Sequence, residues 1–363
     1  MATSICKAQI PLSCQLCNLR IAIQWKCTEC ELLMCDNCKN NVHSRIKTAE
    51  KHNIITILEI GKDLSERLKA LQISEVFSSV FNAYTTELPG IHKLICCADD
   101  IIYFLNSISW EECSILKAKL LKASMKIFKK MDIQCVDFAI SFNEEILFAP
   151  LPGSKLIAVT TTTMETKTVL DVSPNKILAI YMSKHNELLI GLRDNGKKFP
   201  VTDSSTRQVA IFGTDYKHRS TFERDGTGKR LFNYARRITT DSANNIYVID
   251  WINDDDDEHI GRVVSINRNG SNRFVYNGCA SFNTHEAAFN PEDIAVSSRD
   301  TTIISDCDNH ALHVLSANGE LIGLQITKNF DILYPCSLCI DNEGFLLIGS
   351  NVNKNAKIYV VKL

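Results

Sequence analysis

Nowhere in the 363 residues do eighteen apolar residues run together, so no segment reads as a membrane-spanning helix. Residues 1–13 lack the apolar core of a secretory leader, so the chain is expected in a reducing compartment, the cytoplasm first. An excess of one charge is lacking too, since 40 Lys and Arg stand against 42 Asp and Glu. Residues 1–70 carry a net +3 and the remainder a net −5, so the large part lacks the basic footprint that phosphate backbones require. Sustained heptads are also missing. Leu64, Leu68 and Leu71 in KDLSERLKALQ fit one short helix, and the pattern stops before Val76, which excludes a long coiled coil.

The chain is rich in cysteine, and its cysteines form two populations. Seven of the 15 lie in residues 1–38, and eight are scattered from Cys96 to Cys339, where they read as small core residues. Eight soft ligands fall within 39 positions, spaced Cys14-x2-Cys17-x9-Cys27-x2-Cys30-x4-Cys35-x2-Cys38-x4-His43-x8-His52. A tetrahedral shell takes four of them, so eight complete two zinc sites and leave no position open for water or substrate. Such sites are structural. Disulfides belong to short secreted chains, and a thioredoxin-like centre needs one CxxC in a βαβ setting, so neither suits three CxxC pairs with two histidines. Each CxxC turn offers two ligands on one knuckle. Alternating knuckles let a short segment cross back on itself, while sequential pairing stays open on spacing alone.

This segment resembles a B-box zinc finger, the module that follows the RING finger in tripartite-motif (TRIM) proteins. The resemblance implies crossed ligation, with Cys14, Cys17, Cys35 and Cys38 on one ion and Cys27, Cys30, His43 and His52 on the other. Six cysteines followed by two histidines are closer to the type 1 box, because a type 2 box usually has His where this chain has Cys17. The gap before His52 is long. The family's long coiled coil is missing, and with thirteen residues before Cys14 no RING is expected in this chain.

From residue 76 the chain reads as short strands separated by polar turns. One phrase recurs six times, as ADDIIYFLN, FNEEILFAP, HNELLIGL, ANNIYVID, RDTTIISD and NEGFLLIG. Its turn residues align at Asp100, Asn143, Asn186, Asn244, Asp300 and Glu343, a period that suits four-stranded propeller blades. Two longer intervals hold polar insertions, around 193–205 and 251–261. The last strand, 356–363, has no blade of its own left and is expected to pair with the first blade and close the ring. The phrases YARRITTDSANNIYVID, FNPEDIAVSSRDTTIISDCDNHALHVLSANGELI and YPCSLCIDNEGFLLIG are similar to NHL-repeat propellers, especially those of bivalve B-box/NHL proteins. Asn309-His310-Ala311-Leu312 approximates the tripeptide behind that name. The fold class expected is therefore mainly β: a two-zinc cross-brace module at 9–55, a short helical linker at 56–75, and a six-bladed NHL/TolB-like β-propeller at 76–363.

Other constellations have bland readings. Cys336 and Cys339 point to opposite faces of a strand and cannot easily share an ion. The run Asp254–Glu258 reads as a solvated loop. Arg236 and Arg237 beside Tyr234 could hold RNA, yet their stems could equally pack over propeller loops. His310 and His313 belong to a turn and a strand. Asp250 and Asp306 end comparable strands and could approach the central channel or cap turn donors.

The function expected is a zinc-binding adaptor that recognises protein partners, among them ubiquitin ligase components or their substrates, without membrane contact. No enzymatic activity is expected of the chain itself. RNA binding by a propeller face is the alternative, and a metal-assisted hydrolase at the channel a third.

Overall fold

The computed structural model describes residues 14, 16–17, 24–27, 29–30, 32–45, 51–56, 74–107, 113–151, 153–255, 258–284, 287–352 and 354–363. The chain divides into two compact units, Thr3–Ile73 and Ser74–Leu363. The helix expected around Leu64, Leu68 and Leu71 and the side chains of the acidic run 254–258 lie outside the described residues.

In the smaller unit a three-stranded antiparallel sheet runs in the order Leu33–Met34, Trp25–Cys27, Ile54–Thr56. One short helix, Asp36–Asn41, follows it, and a single 3-10 turn at His43–Arg45 comes next. The sequence DNCKNN has little helix propensity of its own. What the helix achieves is spacing: it starts at Cys35 and brings Cys38 round to the same side, since residues three apart share a helix face.

The larger unit holds six four-stranded antiparallel sheets. The first three comprise Lys93–Cys96, Ile101–Ser107, Cys113–Leu120 and Met125–Met131; Cys135–Ile140, Ile146–Pro150, Lys155–Val159 and Thr166–Asp171; and Lys176–Met182, Leu188–Arg193, Arg207–Phe212 and His218–Phe222. The fourth and fifth comprise Ala235–Thr240, Ile246–Asp255, Glu258–Ile266 and Asn272–Tyr276; and Pro291–Val296, Thr302–Asp306, Ala311–Leu315 and Leu321–Ile326. First strands of successive blades lie side by side, and Pro335–Ile340 meets Lys93–Cys96 to close a six-bladed propeller.

Burial falls along each blade. Second strands such as Leu188–Arg193 are covered on both faces by neighbouring blades and read as nearly continuous apolar runs. Outermost strands face solvent, and MKIFKKM, TKTVLD and HRSTF are correspondingly polar. The repeated phrase is the turn and second strand of each blade. Its turn is built locally: Ser141, Ser183, Asp241, Ser297 and Asp341 accept backbone N–H groups two and four residues on. The residue held at positive φ is Asp100, Glu144, Asn186, Asn244, Asp300 or Gly344. In two copies the left-handed residue, Glu144 or Gly344, therefore stands one position after the expected Asn143 or Glu343, because composition does not reveal which residue takes the left-handed position.

Ring closure differs from the expectation. Lys357–Lys362 is the third strand of the sixth blade, paired with Phe345–Ser350 on one side and with Val80–Thr85 on the other. The sixth blade thus takes its outermost strand from the beginning of the propeller. The phrase marks second strands, so the final copy is followed by a third strand of its own, and the fourth is the missing member.

Candidate metal centre and propeller face

The structure brings the eight predicted ligands into two groups, Cys14, Cys17, Cys35, Cys38 and Cys27, Cys30, His43, His52, each with its ligand atoms within 4.8 Å of one another. A tetrahedron of sulfurs about 2.3 Å from zinc has edges of about 3.8 Å, so groups of this span fit one ion each. In the second group the Cys30 Sγ lies 3.6 Å from His43 Nε2 and 3.2 Å from His52 Nδ1, with the Cys27 Sγ 3.6 Å from that same Nδ1. Backbone donors support the knuckles, since the Cys35 N–H points at the Cys14 Sγ and the Cys30 N–H at the Cys27 Sγ, both at 3.4 Å. The Glu29 carboxylate accepts the Asn53 N–H at 2.8 Å and ties the segment before the sheet's last strand to the Cys27–Cys30 turn.

The donor chemistry suits a cation. Burial raises the Cys14 thiol, but the N–H groups of Cys35, Leu16 and Cys17 outweigh it and bring it down to about 6. Burial and the sulfurs of Cys14, Cys17 and Cys35 push Cys38 up. Four thiolates this close cannot coexist without a positive charge among them, and a divalent metal supplies it.

On the propeller axis lies a cluster that sequence reading missed. The Lys93 ammonium is 2.6 Å from the Asp137 carboxylate and also donates to the Ile180 carbonyl. Arg237 stands 3.6 Å from Asp137 and 3.7 Å from Asp293, and donates to the His92 carbonyl at 2.8 Å. The two carboxylates accept the N–H groups of Ile180 and Leu338. First strands of four blades thus contribute two cations and two anions, which balance. Burial would raise Asp137, but Lys93 and Arg237 prevail and hold it below the usual carboxylate range. A charge inside an otherwise apolar first strand, as in CVDFAI or PEDIAV, was the available signal. Replacing Asp137 with Asn is expected to cost about 3–5 kcal/mol by leaving two buried cations short of an anion, which a thermal or denaturant unfolding curve would read.

Asp250 and Asp306 take the bland role. Asp250 accepts the Asn233 and Tyr234 N–H groups at 2.7 Å and pairs with Arg262 at 2.9 Å. Asp306 accepts Asn283, Asn290 and Asn309 donors and faces the His313 Nε2 at 3.2 Å, whose Nδ1 meets the Tyr276 hydroxyl. His310 sits in the preceding turn and its Nδ1 accepts the Tyr334 N–H. Cys336 and Cys339 do diverge: Cys336 lies 3.0 Å from the Cys307 sulfur, and Cys339 accepts the Cys96 N–H.

The insertion around 193–205 joins the second and third strands of the third blade, and that around 251–261 lengthens the hairpin of the second and third strands of the fourth. Between them lies a groove of about 760 Å³ lined by Lys198, Phe199, Pro200, Asn233, Ile252 and Asn253 among others. Tyr234 and Trp251 stack beside it with centroids 5.8 Å apart, and the Lys198 ammonium lies 4.8 and 5.0 Å from their rings. Burial lowers Lys198 to about 8, helped by Arg236 and Arg193 and opposed by Glu292. At pH 8 about half of it is therefore neutral, against under about 1 % of an ordinary lysine. Trace acylation followed by peptide mapping is expected to mark Lys198 ahead of the exposed lysines. Labelling at their average rate would contradict this.

No protein-family model matches the chain, and no curated protein sequence matches it. Solved structures do. A luciferin-regenerating enzyme is 11% identical with a TM-score of 0.54, over 76% of this chain and 94% of its own. A calcium-binding protein, regucalcin, of Agrobacterium tumefaciens is 12% identical with a TM-score of 0.52, over 79% and 96%. A gluconolactonase of Xanthomonas campestris is 7% identical with a TM-score of 0.53, over 76% and 88%.

At such identities the likeness establishes the six-bladed fold. It also overturns the expectation that the chain is no enzyme. That expectation treated the propeller as a recognition surface only, whereas the same architecture occurs in proteins named as enzymes. Among the described residues no helix is long and apolar enough to cross a membrane.

Proposed function

We propose that this protein is a zinc-dependent interaction adaptor, in which a B-box-type module holding two structural zinc ions and an NHL-like propeller recognise protein partners. The observation that carries this reading is the crossed grouping of the eight ligands, which uses every predicted donor and leaves none for substrate. Zinc suits the donor set because thiolate and imidazole ligands in fours favour it over harder cations. Reduced cysteines in both groups fit a cytoplasmic location. The resemblance of the zinc module to that of tripartite-motif ligases makes ligase components or their substrates the first partners to seek.

The RNA alternative draws less support. Tyr234 and Trp251 are engaged with each other and with Lys198 and Arg236, so their faces are not open platforms for bases. Affinity capture with the intact chain, with and without nuclease, tests the reading. A protein partner retained after nuclease treatment and lost from a Cys14→Ser, Cys27→Ser variant supports the adaptor. Recovery of RNA alone, released steeply by salt, would replace it with the alternative.

A further inference from the structure

The cations around the groove between the third and fourth blades are not equally satisfied. Arg207 is ion-paired with Asp194 and donates to the Lys197 and Lys198 carbonyls. Arg193 donates to the Asp194 and Gly196 carbonyls. Arg237 sits between Asp137 and Asp293 on the axis. Arg236 differs from all three. Its guanidinium has no hydrogen bond or ion pair among the described residues, and its contact is the Trp251 ring at 5.2 Å. Burial disfavours its charged form, Arg237 adds to that effect and Glu292 opposes it. A half-buried cation without an anion is costly, and its fork of donors matches the two oxygens of a carboxylate.

Arg236 and Lys198 meet over the same Trp251 ring, and the groove that Lys198 lines offers more than charge. Phe199, Pro200 and Ile252 form apolar walls, and Asn233 and Asn253 supply amides. Apolar walls with a few convergent polar groups suit an organic molecule better than a bare ion. We propose that this groove binds a small organic carboxylate, its anion held by Arg236 beside Lys198 over the Trp251 ring and its apolar body against Phe199, Pro200 and Ile252. This small-molecule site goes beyond the adaptor reading and does not depend on it.

The experiment is a titration of the intact chain with phenylacetate, followed through tryptophan fluorescence, since Trp251 precedes the lining residue Ile252 and lies 5.0 Å from the Lys198 ammonium. A saturable change is expected, absent from Trp251→Phe and absent with phenylacetamide, the neutral isostere. Arg236→Gln is expected to weaken binding about tenfold or more, the order of one charge-assisted hydrogen bond. Ile252 is 38% exposed, so Ile252→Asp leaves the core intact and should weaken phenylacetate by repulsion even if Arg236→Gln disturbs folding. No saturable change overturns the proposal, as does an equal response to phenylacetamide or an unaltered affinity in both variants. Inorganic phosphate binding as tightly as phenylacetate would also overturn it, because the apolar walls would then contribute nothing.

Discussion

Chelation of the purified reduced chain is expected to release two zinc ions and unfold the smaller unit, with the propeller's melting transition left in place. Among the described residues of that unit, the buried side chains are Cys14, Cys27, Met34, Cys35, Cys38 and His43, so the core is the ligands themselves. Structural zinc contributes about 10–16 kcal/mol to small folds of this kind. The propeller instead has extensive apolar clusters between its blades, such as that around Leu189, Phe232 and Ile238. Serine substitutions distinguish the pairing. Cys14→Ser with Cys35→Ser removes two ligands of one group and should leave one ion per chain, whereas Cys14→Ser with Cys27→Ser breaks both groups and should leave none. The reverse pattern of metal content would mean sequential pairing and would sink the crossed grouping.

Deleting Ala356–Leu363 should abolish the folded propeller. Ile358, Tyr359, Val360 and Val361 are all buried, and their exposure forfeits about 6–12 kcal/mol as an upper estimate. That rivals the whole stability of a typical domain, about 5–15 kcal/mol. The deletion also strands Val80–Thr85, which pairs with the lost strand, and bares the edge of Phe345–Ser350. Aggregation and loss of the cooperative thermal transition are expected. Removing Val80–Thr85 should be milder, because that outermost strand buries Tyr84 and little else. A monomer with an unchanged melting temperature after the C-terminal deletion would refute the closure.

Much of this was legible in the chain because it is local. A CxxC knuckle brings its two sulfurs together within one turn, and the helix at Asp36–Asn41 does the same for Cys35 and Cys38. The repeated phrase was readable because second strands, buried on both faces, cannot vary far from apolar. Its turns were readable only to within a residue. Ser or Asp caps recur at the turn's first position, but the left-handed position accepts Asp, Glu, Asn or Gly alike. The outermost strands, with MKIFKKM and HRSTF, carry no such constraint.

What the sequence by itself determined is therefore the two Cys/His clusters and the six-fold repeat, since both depend on spacing along the chain. The tertiary structure decided what depends on residues far apart. It placed Lys93 against Asp137 and Arg237 between Asp137 and Asp293, and it gave the last blade its fourth strand from Val80–Thr85. It also set two insertions side by side to form the groove at Lys198. A lone charge in an apolar strand does not reveal which blade will neutralise it, because the partner is chosen by the ring's closure and not by any neighbour in the chain.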